Sequence, residues 1–370
     1  MPLKWRKVWI ADETFESAGV FDVKGDGKLD IVSGAYWYEG PDFRKKHQIG
    51  EVKAAGEYYD DFSTIALDIN GDGRLDYVTG GWWGNTIRWR ENPADLTKGW
   101  PEHIIGETGN VETTRGWDLD GCGVIEIVPN TPGTREVKFY KLKTDKKGKG
   151  TGEFTKHVAY EFPEGQGQGH GLGCGDIAGD GRMDIVLCRG WLEAPKNPLK
   201  DQWTWHEDFP QPPWGWAGSV PMLVVDLNGD GVNEIIVGNA HGYGLWWLEQ
   251  KVAKGKRSWV THAIDPYNAQ YHDLMWVDID GDGKCELVTG KRHRAHCGNE
   301  AGEWDDYGIY YFKWTGDAFA KQVICYDGFD EAKGLGIHFA VADLRGTGRF
   351  DLVAPGKDGL YVFYNEGMSK

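Results

Sequence analysis

The chain has 370 residues, including 54 glycines and 19 tryptophans, and its 41 Lys+Arg against 57 Asp+Glu give a formal charge of −16. That balance repels a phosphate backbone or an anionic lipid surface, so neither a nucleic acid nor a membrane is an expected partner. No apolar run is long enough to span a bilayer, MPLKWRKVWIADE contains no apolar signal region, and the six cysteines show no CxxC spacing. The expectation is a cytoplasmic chain without disulfides, folded as a single domain over residues 1–370.

In chain order, the first predicted element is a strand, KWRKVWI. Seven copies of a nine-residue pattern follow: DVKGDGKLD (22–30), DINGDGRLD (68–76), DLDGCGVIE (118–126), DIAGDGRMD (176–184), DLNGDGVNE (226–234), DIDGDGKCE (278–286) and DLRGTGRFD (343–351). Successive copies start 46, 50, 58, 50, 52 and 65 residues apart. Each runs into a short strand-forming segment: IVSG, YVTG, IVPN, IVLC, IIVG, LVTG or LVAP. Aromatic-rich segments come next, such as TIRWREN, GLWWLEQ and GIYYFKW, and then segments with a basic or histidine position, such as KKHQI, PEHII and VTHAI. Apolar residues at period two, cut by Gly and Asp turns, form strands and not helices. Seven units of four strands predict an all-β, seven-bladed β-propeller, with the N-terminal strand completing the last unit and closing the ring.

Within the nine-residue pattern, oxygen-bearing side chains at positions one, three, five and nine around two glycines have the makings of a calcium loop. The best candidates are Asp68/Asn70/Asp72/Asp76, Asp226/Asn228/Asp230/Glu234 and Asp278/Asp280/Asp282/Glu286. The alternative is an Asx-rich turn that satisfies its own backbone. In either case the role is structural.

The innermost strand of a blade leads into this loop, so residues five to eight positions earlier should face the channel. Those positions hold Glu16, Asp60, Asp61, Glu112, His170, His272 and His338. His241, Lys291, Arg292, His293 and His296 follow second strands and should reach the same mouth. His47, His103, His157, His206 and His262 recur at one position of the outer segment and are expected to be structural. An irregular imidazole cluster suits a divalent metal or proton transfer near neutral pH, and a Lys/Arg pair suits an oxyanion. Trp82, Trp83, Trp191, Trp246 and Trp247 offer flat faces for sugar rings.

The DxxGDGxxD units resemble FG-GAP/VCBS repeats along essentially the whole chain. GHGLGCGDIAGDG, GNAHGYGLWWLEQ and VTGKRHRAHCGNEAGEW further resemble the propeller domain of the aldos-2-ulose dehydratases and their bacterial single-domain relatives. The cupin domains of those enzymes have no counterpart here, so any isomerase step tied to them is expected to be absent. The resemblance implies elimination from a keto- or anhydro-sugar, and the residues suit it: a metal-assisted carbohydrate lyase or dehydratase that abstracts a proton α to a carbonyl. His170, His241 and His296 are the expected ligands of a zinc, manganese or magnesium ion. His272 or His338 is the expected base, Lys291 and Arg292 the clamp, and Asp61 a proton partner. Tyr271, His293, Glu112 and Trp191 complete the expected contacts to a small-molecule sugar. Two alternatives stay open: a non-catalytic carbohydrate- or protein-binding propeller with structural calcium, and a uronate polysaccharide lyase using Tyr271 and Arg292. The oligomeric state is left open.

Overall fold

A computed structural model describes residues 2–328 and 331–368. Among these residues every regular element is a strand, and no helix is long and apolar enough to cross a membrane. Each nine-residue pattern is the hairpin between the first and second strands of a four-stranded antiparallel meander. The first meander runs from Gly19–Phe21 to Lys45–Gln48, the second from Ile65–Leu67 to Glu102–Glu107 and the third from Thr113–Trp117 to Gly150–Glu161. The fourth spans Leu172–Gly175 to Thr204–His206, the fifth Met222–Val225 to Lys256–Ala269 and the sixth Tyr271–Val277 to Phe319–Asp327. The seventh supplies Ala340–Ala342, Asp351–Ala354 and Leu360–Met368, and Leu3–Ala11 pairs antiparallel with the last of these as its fourth strand.

Two meanders share a sheet, which the repeat pattern does not foretell. The first strands of the fourth and fifth meanders pair in parallel, Gly173 opposite Met222 and Cys174 opposite Leu223. The cause lies in GHGLGCG: a β-carbon on Gly173 would sit 2.2 Å from the Met222 carbonyl oxygen. Glycine here lets two backbones approach to hydrogen-bonding distance.

The hairpin loops are closed by their own chain. In the second loop, Asp68 accepts the N–H groups of Gly71 and Gly73 at 2.9 and 3.0 Å, and Asp226 and Asp278 repeat this in the fifth and sixth loops. Both loop glycines take positive φ, 76° and 89° at Gly71 and Gly73, which is why the pattern demands them. Positions three and five of the second and fifth loops are also spent on the turn. Asn70 Oδ1 accepts the Asp72 N–H at 3.1 Å and its amide donates to Asp72 Oδ2 at 3.2 Å. Asp72 in turn accepts the Arg74 N–H at 2.9 Å and bonds the Arg74 guanidinium. Asn228 accepts the Asp230 N–H at 2.9 Å, and Asp230 accepts the Val232 N–H at 2.8 Å. This is the Asx turn that satisfies its own backbone: Asn70, Asp72, Asn228 and Asp230 each cap a backbone N–H group two residues on.

The ninth residue opens the buried second strand. Asp76, Glu234 and Glu286 accept the N–H groups of Ile69, Leu227 and Ile279 at 2.9, 2.9 and 3.0 Å. A strand's first residue points its side chain into the sheet, where one of its oxygens pins the hairpin. Positions one, three and five converge in the sixth loop (Asp278, Asp280, Asp282), where Lys313 already bonds Asp280 and Asp282. Asp118, Asp120 and Cys122 converge similarly in the third loop.

The outer histidines form a repeated clip. His47, His103, His206 and His262 stack on Trp37, Trp89, Trp191 and Trp247 with ring centroids 4.0–4.4 Å apart. Each Nε2 also meets a glutamate two residues beyond that tryptophan, Glu39, Glu91, Glu193 or Glu249, at 2.9–3.3 Å. His157 stacks on Phe139 and bonds the Leu199 carbonyl instead. Ring faces and carboxylates thus fasten the outermost strand to its neighbour.

The apolar core lies between neighbouring meanders. Val128 and Phe139 of the third pack against Leu172, Ile185 and Leu192 of the fourth, and Ile31 and Tyr38 of the first pack against Val353 and Val362 of the seventh. Each fully buried aliphatic or aromatic side chain contributes about 1.5–3 kcal/mol. The inner strands are also tied to one another: the Ala18 N–H meets the His338 carbonyl at 2.9 Å, and the Thr113 hydroxyl meets the Phe62 carbonyl at 2.6 Å. Deeper in, Arg115 of the third meander reaches Asp273 of the sixth at 2.6 Å. Side chains 158 positions apart meet because the inner strands converge on one centre. The six cysteines are free.

Candidate functional site

First strands run toward the nine-residue loops, so the residues before them gather at the opposite end. Second strands run back to that end, and the turns that follow them join it. A cavity of about 390 Å³ lies there, walled by Tyr58, Phe62, Trp82, Trp83, Pro132 and Trp216, with Glu112, His170, His241, His296 and Arg292 contributing polar groups. That size and an apolar lining with a few convergent polar groups are typical of small-molecule sites.

Glu112, His170, His241 and His272 each present a ligand atom to one point, all within 4.8 Å of one another. Their outer hydrogen bonds decide which nitrogens face inward. His170 Nδ1 donates to the Gly218 carbonyl at 2.7 Å and His241 Nδ1 donates to Glu300 at 2.7 Å. Both Nε2 atoms therefore carry lone pairs, and both are buried without a hydrogen-bond partner. His170 Nε2 lies 3.3 Å from Glu112 Oε1, two acceptors face to face. His272 Nε2 lies 3.1 Å from the same oxygen, and its Nδ1 has no partner. A cation at the centre resolves these opposed lone pairs, and the carbonyl and carboxylate behind His170 and His241 are the usual outer supports of metal-bound imidazoles. The donor set therefore fits a divalent metal.

Electrostatics agree with that fit. Burial drives His272 well below its ordinary pKa, and burial together with His170 brings His241 to about 4, so both are neutral and able to ligate near pH 7. Burial alone would raise Glu300, but the N–H bonds it accepts from His241 and His296 hold it at about 2. His296 Nδ1 also bonds Glu300, and its half-exposed ring stacks on His241 at 4.5 Å. The sequence places His296 among the ligands; the structure sets it at the pocket wall, in a second group with His241 and Glu300.

One register rule sorts the other candidates. Glu16, Phe62, Glu112, His170 and His272 all stand six positions before the first aspartate of their loop. Glu112, His170, Phe62 and His272 reach the cavity or its centre, and Glu16 sits behind Arg292. Neighbouring positions point the other way, because strand side chains alternate. Asp61 takes the Thr79 hydroxyl at 2.5 Å, and burial raises its pKa to about 6. Tyr271 donates to Asp265 at 2.8 Å, and His338 accepts the Thr64 N–H at 2.9 Å. Lys291 bonds the carbonyls of Glu303 and Asp305, and burial lowers it to about 8. His293 pairs with Asp358 at 3.2 Å and stacks on Tyr307. Trp191 is fully buried as the fourth meander's copy of the Trp–His–Glu clip. None of these six lines the cavity, which corrects their assignment to the catalytic or substrate set. Arg292 does line it: its Nε and Nη2 bond Glu16 at 2.9 and 3.3 Å, and its unpartnered Nη1 lies 3.8 Å from Glu112 Oε1.

Comparison with known proteins adds the repeat class. Residues 226–289 match the FG-GAP-like repeat. The solved structure of BBS1N in complex with ARL6DN, soaked with lead, overlays with a TM-score of 0.53 at 10% identity, covering 100% of this chain and 98% of that one. The mercury-soaked form of that complex gives 0.52 at 10% identity, with the same coverage. The rhamnogalacturonan lyase YesW overlays with a TM-score of 0.49 at 14% identity, covering 99% of this chain and 73% of the other. The BBS1N likeness is one of fold. Among curated proteins the chain finds no match.

Tyr58, Phe62, Trp216 and Glu300 belong to the site but escape the reading of the sequence. Phe62 obeys the six-position register and could have been found by it. Tyr58 arrives on a small hairpin, Ala54–Ala55 with Tyr58–Tyr59, that interrupts the repeat. Trp216 and Glu300 come from the irregular insertions of the fifth and sixth units. Their only sequence signal is the four-residue spacing from His296 to Glu300.

Proposed function

We propose that the protein is a carbohydrate lyase acting by β-elimination on a keto- or anhydro-sugar, in a pocket at the mouth of a seven-bladed propeller. The seven meanders are the blades, and the pairing of Leu3–Ala11 with Leu360–Met368 closes the ring. The observation that carries the reading is the pair of unpartnered imidazole nitrogens, on His170 and His241, opposed to Glu112 inside an aromatic-walled pocket. The resemblance of the glycine- and histidine-rich segments to aldos-2-ulose dehydratases supports the same reaction class.

Glu112, His170, His241 and His272 would hold a divalent ion, and three imidazoles favour zinc or manganese over magnesium. Bound there, the ion supplies Lewis-acid charge for a carbonyl oxygen of the sugar. Arg292 Nη1 donates to an oxygen of the same ring. His296, held by Glu300, takes the proton α to the carbonyl. As the β carbon–oxygen bond breaks, the same imidazole returns the proton to the departing oxygen, so the products are an enone and an alcohol or water. Trp82, Trp83 and Trp216 hold the ring by its faces and exclude water.

The test is turnover of chelated and metal-reloaded protein with 2-keto-glycosides, 3-keto-glycosides and anhydrofructose, followed by enone absorbance and product mass. We expect zinc or manganese to restore activity, and His296→Ala to abolish turnover at unchanged metal content. Absence of an eliminated product from every substrate, or full activity in His296→Ala, refutes the assignment.

A further inference from the structure

Building on the reading of the pocket as a sugar site, we infer that it takes an uncharged sugar ring and discriminates against uronates, and that Glu16 is the residue responsible. Recognition of a sugar carboxylate calls for a free guanidinium fork or a free ammonium. Arg292 is the one arginine or lysine lining the cavity among the described residues, and its side chain is 1% exposed. Its Nε/Nη2 edge is already taken: Nε and Nη2 bond the two oxygens of Glu16 at 2.9 and 3.3 Å. Behind it, Lys357 directs its ammonium to Glu16 at 3.1 Å and to the carbonyls of Arg294 and Ala295 at 2.9 and 3.2 Å, which uses all three donors. Arg292 Nη1 is left, buried and without a hydrogen-bond partner, 3.8 Å from Glu112. The two N–H groups of Nη1 suit hydroxyl or carbonyl oxygens, whereas a sugar carboxylate would meet a guanidinium whose charge Glu16 already pairs and whose Nη1 stands beside a second carboxylate, Glu112.

The walls fit the same occupant. Trp83 packs on Tyr58 and Phe62 at 5.0 and 5.8 Å on the second meander's side. Trp216, 64% exposed and stacked on His241 at 5.0 Å, comes from the segment leading into the fifth. Flat apolar surfaces entering from separate meanders can cover both faces of one ring, whose C–H groups are apolar whatever its hydroxyl pattern.

The experiment is quenching of intrinsic tryptophan fluorescence in the zinc-loaded protein. The probes are paired methyl glycosides that differ only at C6: glucoside and glucuronide, galactoside and galacturonide, mannoside and mannuronide. The neutral member of at least one pair should bind, and more tightly than its acid by about tenfold. Glu16→Gln frees the Arg292 fork and should narrow that preference. Wild-type protein that binds the acid as tightly as the neutral partner, or that binds no member of the panel, overturns the inference without recourse to the variant. The two readings fail separately. A neutral preference without any elimination product removes the lyase and leaves this inference, whereas elimination from a uronide does the reverse.

Discussion

Glu300 offers the sharpest test of the metal centre, because it lies outside the Glu112, His170, His241 and His272 group and yet orients one of its members. One of its oxygens accepts N–H bonds from both His241 and His296, and the other accepts from Gln270 at 3.2 Å. Glu300→Gln keeps the shape and an acceptor but removes the charge. A hydrogen bond to a charged group contributes about 1.5–3 kcal/mol against about 0.5–1.5 kcal/mol for a neutral one, so the His241 support weakens by about 1–1.5 kcal/mol. At ~1.36 kcal/mol per decade this is about a tenfold loss of zinc affinity, at the low end of the range for outer partners of metal-bound histidines. Competition against a chromophoric chelator at pH 7.5 measures it, with His170→Ala as the variant that loses a direct ligand. An affinity in Glu300→Gln equal to wild type, or a loss as deep as that of His170→Ala, refutes the division into ligand and support.

Two further outcomes concern the frame that holds the site. Arg115→Met leaves Asp273 buried without its partner, a loss of about 3–5 kcal/mol. For 370 residues, at about 2.1 cal/mol/K each, this lowers Tm by about 4–6 °C. Arg115→Met/Asp273→Asn should recover most of the loss in a calorimetric scan; no drop in the single variant contradicts the central tie. The second outcome is a pH effect. Burial, helped by neighbouring loop carboxylates, pushes Glu234 and Glu286 up to about 7, above their unfolded values. The folded state therefore binds protons that the unfolded chain releases, and the penalty present at pH 8 is relieved as the pH falls through 7. Between pH 8 and 6 the wild type should gain Tm relative to Glu234→Gln/Glu286→Gln; parallel Tm curves contradict it.

The repeat made the architecture legible before any coordinates. Period-two apolar segments after every GxG loop could only be strands, and the glycines are where the hairpins require positive φ. The outer histidines announced themselves as structural by recurring, and the Trp–His–Glu clip is the reason they recur. Legibility faded wherever the repeat broke. The glycines of GHGLGCG merge two meanders, a contact visible only when two backbones meet.

What the sequence determined by itself is the number and kind of units, because local turn chemistry and side-chain alternation act within a few residues. It also determined which histidines are irregular. Which of these share a centre was decided by tertiary structure alone. His170 and His272 meet Glu112 because all three lie in one register of strands drawn together from different meanders, while His338, one residue out of that register, turns away. A shift of one residue in a strand reverses the side chain, and nothing in a single chain's order of residues shows which strands will converge.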